Sequence, residues 1–134
     1  MINKKIIALA SLTDNYGLND RKKYQGSSKN NICGDKIKIQ LDIKNKVIKS
    51  FRYETESCIF CQASANLLAK SIIKRNISSI KNDIIKISNG LKNKKVVLPN
   101  KFKNYKDLIN DKYTGRLNCI ALPFNTILKI LKFK

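Results

Sequence analysis

Four cysteines, an aspartate and a glycine are the residues in this chain whose types and spacing could do chemistry. They fall in Cys33-Gly34-Asp35, Ser57-Cys58-Ile59-Phe60-Cys61 and Asn118-Cys119. In an extended segment, residues two apart project to the same side, so Cys33 and Asp35 can aim a thiolate and a carboxylate at one point. Gly34 lets the backbone approach closely. Cys58 lies where a helix is expected to begin, and unpaired N–H groups there favour a thiolate. Cys119 stands just before another expected helix, in a similar field. Three sulfurs and one carboxylate oxygen form a tetrahedral set suited to Zn²⁺, or to iron and iron–sulfur species that prefer soft thiolate. Cys61, one turn beyond Cys58, faces roughly the same way. It reads equally well as a small hydrophobe buried in an Ala-rich helix.

The remaining chemistry is bounded by what is missing. There is no histidine, which excludes His-based triads, general bases and metal ligands together. The 28 basic residues against 9 acidic ones give a net charge of +19. Dense lysine is a mark of nucleic-acid binders. Here, however, the lysines are spread along the whole chain among asparagines and isoleucines. Aromatic residues are only 7% and form no stacking platform between them. The charge is therefore read as a solvated, compositionally biased surface whose field favours acidic protein partners. No apolar run approaches the roughly 18 residues needed to span a bilayer. Met1–Ala10 is read as an amphipathic helix and not as a secretory signal. With no export signal, the thiols are expected to be reduced and the protein cytoplasmic.

The elements that must position these groups are set by periodicity. Ile2–Leu12 carries a helical stripe of Ile2, Ile6, Leu9 and Ala10, and Asn15–Asn31 reads as loop with a short edge strand near Tyr24–Ser28. Ile37, Ile39, Leu41 and Ile43 alternate with polar residues. Asn45-Lys46 turns the chain, and Val47–Glu54 alternates again, giving a hairpin. From Ser57 the period changes to that of a helix of about four turns through Ile73. A second helix spans Ile77–Ser88, ended by Asn89-Gly90 as a left-handed cap. Leu91–Asn100 is expected to be loop, Phe102–Ile109 a short helix, Gly115 a break, and Ala121–Phe133 a terminal amphipathic helix. The fold class is α+β: a small antiparallel sheet of about three strands with helices on one face, in a single domain over 1–134.

Taken together, Asn31-Ile32-Cys33-Gly34-Asp35-Lys36-Ile37, the hairpin after it and Cys58 with Gln62-Ala63-Ser64-Ala65 resemble the U-type iron–sulfur cluster scaffolds: IscU, SufU and the N-terminal part of NifU. The closing Arg116-Leu117-Asn118-Cys119-Ile120-Ala121-Leu122-Pro123-Phe124 is similar to that family's ending. The cysteines at 33, 58 and 119 stand 25 and 61 positions apart, and the long second interval is more like the SufU branch. The resemblance covers roughly Tyr24–Phe133. It implies that Cys33, Asp35, Cys58 and Cys119 bind Zn²⁺ or a nascent [2Fe–2S] or [4Fe–4S] cluster, with Cys33 and Cys119 as candidate persulfide acceptors. Partners would be a cysteine desulfurase and acceptor or carrier proteins, and the unit would be a monomer or a cluster-bridged dimer. Asp35 would keep the cluster labile, since carboxylate is harder and more exchangeable than thiolate. Arg116 would pair with Asp35 or steady a persulfide, and Cys61 would resolve a persulfide or pack. Two departures stand out. Asn118 occupies the position of a histidine in IscU, and the Leu-Pro-Pro-Val-Lys chaperone segment is missing. The alternatives are a zinc-bound sulfur carrier, a Cys58–Cys61 dithiol redox pair, which lacks the expected parallel βαβ setting, and a nucleic-acid binder.

Overall fold

The computed structural model describes residues 4–19, 24–30 and 34–132. Three antiparallel strands, β1 (Tyr24–Asn30), β2 (Asp35–Lys44) and β3 (Val47–Glu56), form a sheet in the order β1-β2-β3. Four α-helices accompany it: α1 (Lys4–Ala10), α2 (Ile59–Ile72), α3 (Ile77–Asn93) and α4 (Leu117–Leu131). Two 3-10 segments, Asn100–Asp107 and Asp111–Arg116, lead into α4.

Alternation dictates the hairpin. Ile37, Ile39 and Leu41 on β2 oppose Thr55, Tyr53 and Phe51 on β3, and the apolar members are buried on one face. Asn45 and Lys46 both have positive φ (53° and 64°), the backbone that a two-residue turn needs to match the strand twist. A register shift between Asp42 and Ile43 keeps Ile43 opposite Ile48. The chain between α2 and α3 then closes on this end of the sheet. Lys74 N–H donates to the Ile48 carbonyl at 2.7 Å, and Ile77 N–H donates to the Lys46 carbonyl at 2.8 Å.

The apolar face packs against α2 and α4. At the middle of β1 the inward position is Gly26, where a Cβ would lie 2.8 Å from Ile130 of α4. The missing side chain is what lets α4 lie close against the strand. Asn66 of α2, 1% exposed, joins three elements. Its amide donates to the Leu9 and Leu12 carbonyls at the end of α1, and its oxygen accepts from the Tyr53 hydroxyl on β3 at 2.8 Å.

Four boundaries differ from the sequence expectation. The segment before the hairpin holds the edge strand expected near Tyr24–Ser28, which as β1 runs on to Asn30. It also gives Tyr16 a parallel bridge to Tyr53 on the free edge of β3. Helix α3 does not stop at Asn89-Gly90 but continues to Asn93, with Lys94 as the left-handed cap (φ 59°). Gly90 serves packing instead: a Cβ there would meet the Lys95 carbonyl oxygen at 2.6 Å and the Val96 Cα at 3.2 Å. Gly115 lies inside the second 3-10 segment. Finally, α4 begins at Leu117 and runs through Pro123, so Cys119 sits in its first turn and not ahead of it. No described helix is long and apolar enough to cross a membrane.

Candidate metal centre

Each described site group is delivered by the start of a different element. Asp35 is the first residue of β2, 4% exposed. It comes directly after Gly34, whose φ of +71° with open space around it calls for glycine by backbone conformation and not by crowding. Cys58 is the N-cap of α2, with extended backbone and a half-buried side chain. Its N–H donates to Asp35 Oδ1 at 3.2 Å, and its Sγ lies 3.7 Å from Asp35 Oδ2. Cys119, 2% exposed, completes the group: one ligand atom from each of Asp35, Cys58 and Cys119 lies within 4.8 Å of the others. Cys33, expected as a fourth member, lies outside the described residues.

These distances fit a metal. With metal–sulfur and metal–oxygen bonds of about 2.3 and 2.0 Å, a tetrahedral ion holds its sulfur and oxygen ligands about 3.5 Å apart. The 3.7 Å between Asp35 Oδ2 and Cys58 Sγ is close to that value. Electrostatics point the same way. Two thiolates and a carboxylate within 4.8 Å would repel by about 3.5 to 4.5 kcal/mol per pair at an effective dielectric of 20. The fully ionised trio is therefore stable only around a cation. Zn²⁺ or iron suits two soft sulfurs and one hard oxygen.

Cys61 is set apart from this group. It is 0% exposed, and burial pushes its thiol from 9.0 up to about 12, outweighing the hydrogen bonds with the Ser57 and Thr55 side chains that act to lower it. A neutral, inaccessible thiol is a poor ligand and a poor nucleophile. That counts against the Cys58–Cys61 redox pair and favours the packing role. Arg116 is exposed and lies with its guanidinium 5.7 Å from the centroid of Phe60, which in turn packs on Tyr113 at 4.9 Å. The pairing with Asp35 expected for it is not seen among the described residues, where Lys101–Asp83 is the ion pair formed. The polar frame around Cys58 gave no signal in the sequence. The Ser57 and Thr55 hydroxyls are 2.7 Å apart, and the Gln62 amide donates to the Ser57 carbonyl at 3.1 Å. Threonine and serine side chains of this kind are common in any strand end.

Comparison with known proteins decides the relationship. Residues 1–113 match the NifU-like N-terminal domain. This chain belongs to that family. The NifU-like match contains Asp35 and Cys58 but ends before α4, so Cys119 joins the group through geometry. A curated relative, the "Iron-sulfur cluster assembly scaffold protein IscU" of Thermotoga maritima, is 29% identical over 107 residues, covering 78% of this chain and 73% of its own. Among solved structures, a SufU described as a putative scaffold protein for the SUF system, from Fervidobacterium islandicum AW-1, superposes with a TM-score of 0.85 at 21% identity. It covers 96% of this chain and 95% of its own. The N-terminal part of a NifU-like protein from Brucella abortus gives 0.83 at 19% identity, covering 97% and 91%. At those identities the two structures establish the shared NifU-like fold: a three-stranded antiparallel sheet with helices.

Proposed function

We propose that this protein is an iron–sulfur cluster assembly scaffold. It takes iron and persulfide sulfur, the latter reduced to sulfide by two electrons per sulfur from an external donor, builds a labile cluster on Asp35, Cys58, Cys119 and Cys33, and hands it to acceptor proteins. The observation that carries this reading is the convergence of Asp35, Cys58 and Cys119 to within 4.8 Å at one end of a NifU-like fold. The name borne by the Thermotoga relative supports it. The chain acts as a single unit whose partners are a cysteine desulfurase and cluster acceptors, working in the cytoplasm as a monomer or a cluster-bridged dimer. Asp35 supplies the hard, exchangeable ligand that a temporary holder needs, and the two sulfurs give affinity for iron.

A second reading accommodates the same Asp35–Cys58 spacing: a resident Zn²⁺, with the protein relaying persulfide sulfur. Anaerobic incubation with iron and sulfide separates the two. Visible absorption that develops with bound iron and sulfide, and disappears as an apo-acceptor gains its cluster, supports the scaffold. A colourless protein that retains one Zn²⁺ under the same treatment favours the carrier.

A further inference from the structure

We propose that Ser64 and Tyr105 form a buried brace that positions Cys119 against Cys58; the inference rests on the metal site described above. Ser64, in the helix that Cys58 caps, is 0% exposed, as is Tyr105 of the first 3-10 segment. The Ser64 hydroxyl donates to the Ile120 carbonyl at 2.7 Å, and the Tyr105 hydroxyl donates to the Ser64 carbonyl at 2.6 Å. Each hydroxyl has one proton, so both are committed in a single chain of bonds running from Tyr105 through Ser64 to α4. The 3.3 Å between the two hydroxyls is then a contact with no proton left for it. Burial raises the Tyr105 hydroxyl above its ordinary value, which keeps it a donor throughout the working pH range.

The bond falls where α4 is weakest. Pro123 has no N–H to give to the Cys119 carbonyl, so the turn bearing Cys119 lacks one rung of its helical ladder. The next carbonyl along, that of Ile120, is the one Ser64 ties to α2. Tyr105 adds a ring contact to Phe124 at 5.2 Å, immediately after the proline. The helix carrying one sulfur is thus tied at this turn to the helix carrying the other. Ser64 and Tyr105 are positioning residues, acting on the site through the backbone of α4.

The test compares Ser64→Ala, Tyr105→Phe and the unchanged protein, all reduced and held anaerobically. Co²⁺ is the probe, read by its thiolate charge-transfer and d–d bands. A second readout is the yield of Cys58–Cys119 cross-link with a short bifunctional methanethiosulfonate, which forms one disulfide with each thiol and releases one sulfinate for each, assigned by peptide mass. Loss of a supporting partner of a ligand typically weakens metal binding 10–100-fold. Ser64→Ala should therefore bind Co²⁺ about tenfold or more weakly, with weakened tetrahedral d–d bands and a lower cross-link yield. Ile48→Val, a core change at the opposite end of the sheet, should leave both readouts alone even where it lowers the melting temperature. Tyr105→Phe keeps the packed ring and should shift both readouts the same way by a smaller factor, so it decides the matter if Ser64→Ala does not fold. Unchanged affinity, bands and cross-link yield in a folded Ser64→Ala overturn the brace, as do the same results in Tyr105→Phe where Ser64→Ala is unfolded. If the unchanged protein binds no Co²⁺, the metal reading falls separately. The cross-link yield then still tests the brace: a fall in the variants supports it, and equality overturns it.

Discussion

The two cysteines three residues apart should differ sharply as nucleophiles, and alkylation of the native protein measures the difference. Cys61 is fully buried with its thiol pushed from 9.0 to about 12. At pH 8 that change alone lowers its thiolate fraction about a thousandfold, and thiolate is the reacting species. Burial adds the need for a local opening before reagent can reach it. Cys58 is half-buried and is one of the three grouped ligands. Iodoacetamide at pH 8, quenched over time and mapped by peptide mass, should label Cys58 first. Cys61 should stay unlabelled until the protein is unfolded in urea, where the two rates converge. Labelling of native Cys61 within tenfold of Cys58, or ready formation of a Cys58–Cys61 disulfide under mild oxidant, would refute the reasoning and return the redox pair to consideration.

Other outcomes rest on single features. Asp35→Ala should leave a reconstituted cluster that forms but moves to an apo-acceptor more slowly, because the exchangeable oxygen is gone; absorption decay on mixing with acceptor measures it. Gly90→Ala sets a helix-propensity gain of about 1 kcal/mol against a Cβ placed 2.6 Å from a backbone oxygen that cannot rotate away. Overpacking of about 1–3 kcal/mol should win, and the urea midpoint should fall. Stability should also decline as pH rises from about 9 towards 12. Cys61 and Tyr53 both hold their protons to about 12 in the fold, mainly through burial, whereas the unfolded chain releases them near 9.0 and 10.0. The folded state then binds more protons, and each group contributes a slope of up to about 1.4 kcal/mol per pH unit. In Cys61→Ala the decline should begin about one unit higher, as read by denaturant titration across the range.

Legibility in the sequence tracks how local the cause is. Ile37, Ile39 and Leu41 against Phe51 and Tyr53 declare the hairpin through their alternation. The helix from Ile59 declares itself through period, and Asp35 and Cys58 are marked by their short motifs. The two helix ends that the sequence misplaces both turn on packing that residue type alone does not declare. Gly90 looks like a cap by residue type, but the neighbour that excludes its Cβ is the chain just past the helix end. The last helix, expected from Ala121, opens at Leu117 and carries Pro123 in its interior, because the buried surfaces of Ile120, Phe124 and Ile127 outweigh one missing bond. Arg116 draws notice by its position beside Cys119, whereas its partner, Phe60, belongs to a helix more than fifty residues away in the chain. The brace through Ser64 and Tyr105 leaves no local trace for the same reason.

Asp35, Cys58 and Cys119 are borne by the opening residues of a strand and two helices, while the apolar interior is built from the later turns and strand positions of those same elements. The candidate ligand set and the persistence of the fold are therefore encoded in largely separate stretches of chain. Such a layout lets the ligand set drift, between carboxylate and thiolate or from one metal to another, without the scaffold having to be reinvented. It also makes the protein a practical chassis for installing new coordination chemistry, one terminus of an element at a time.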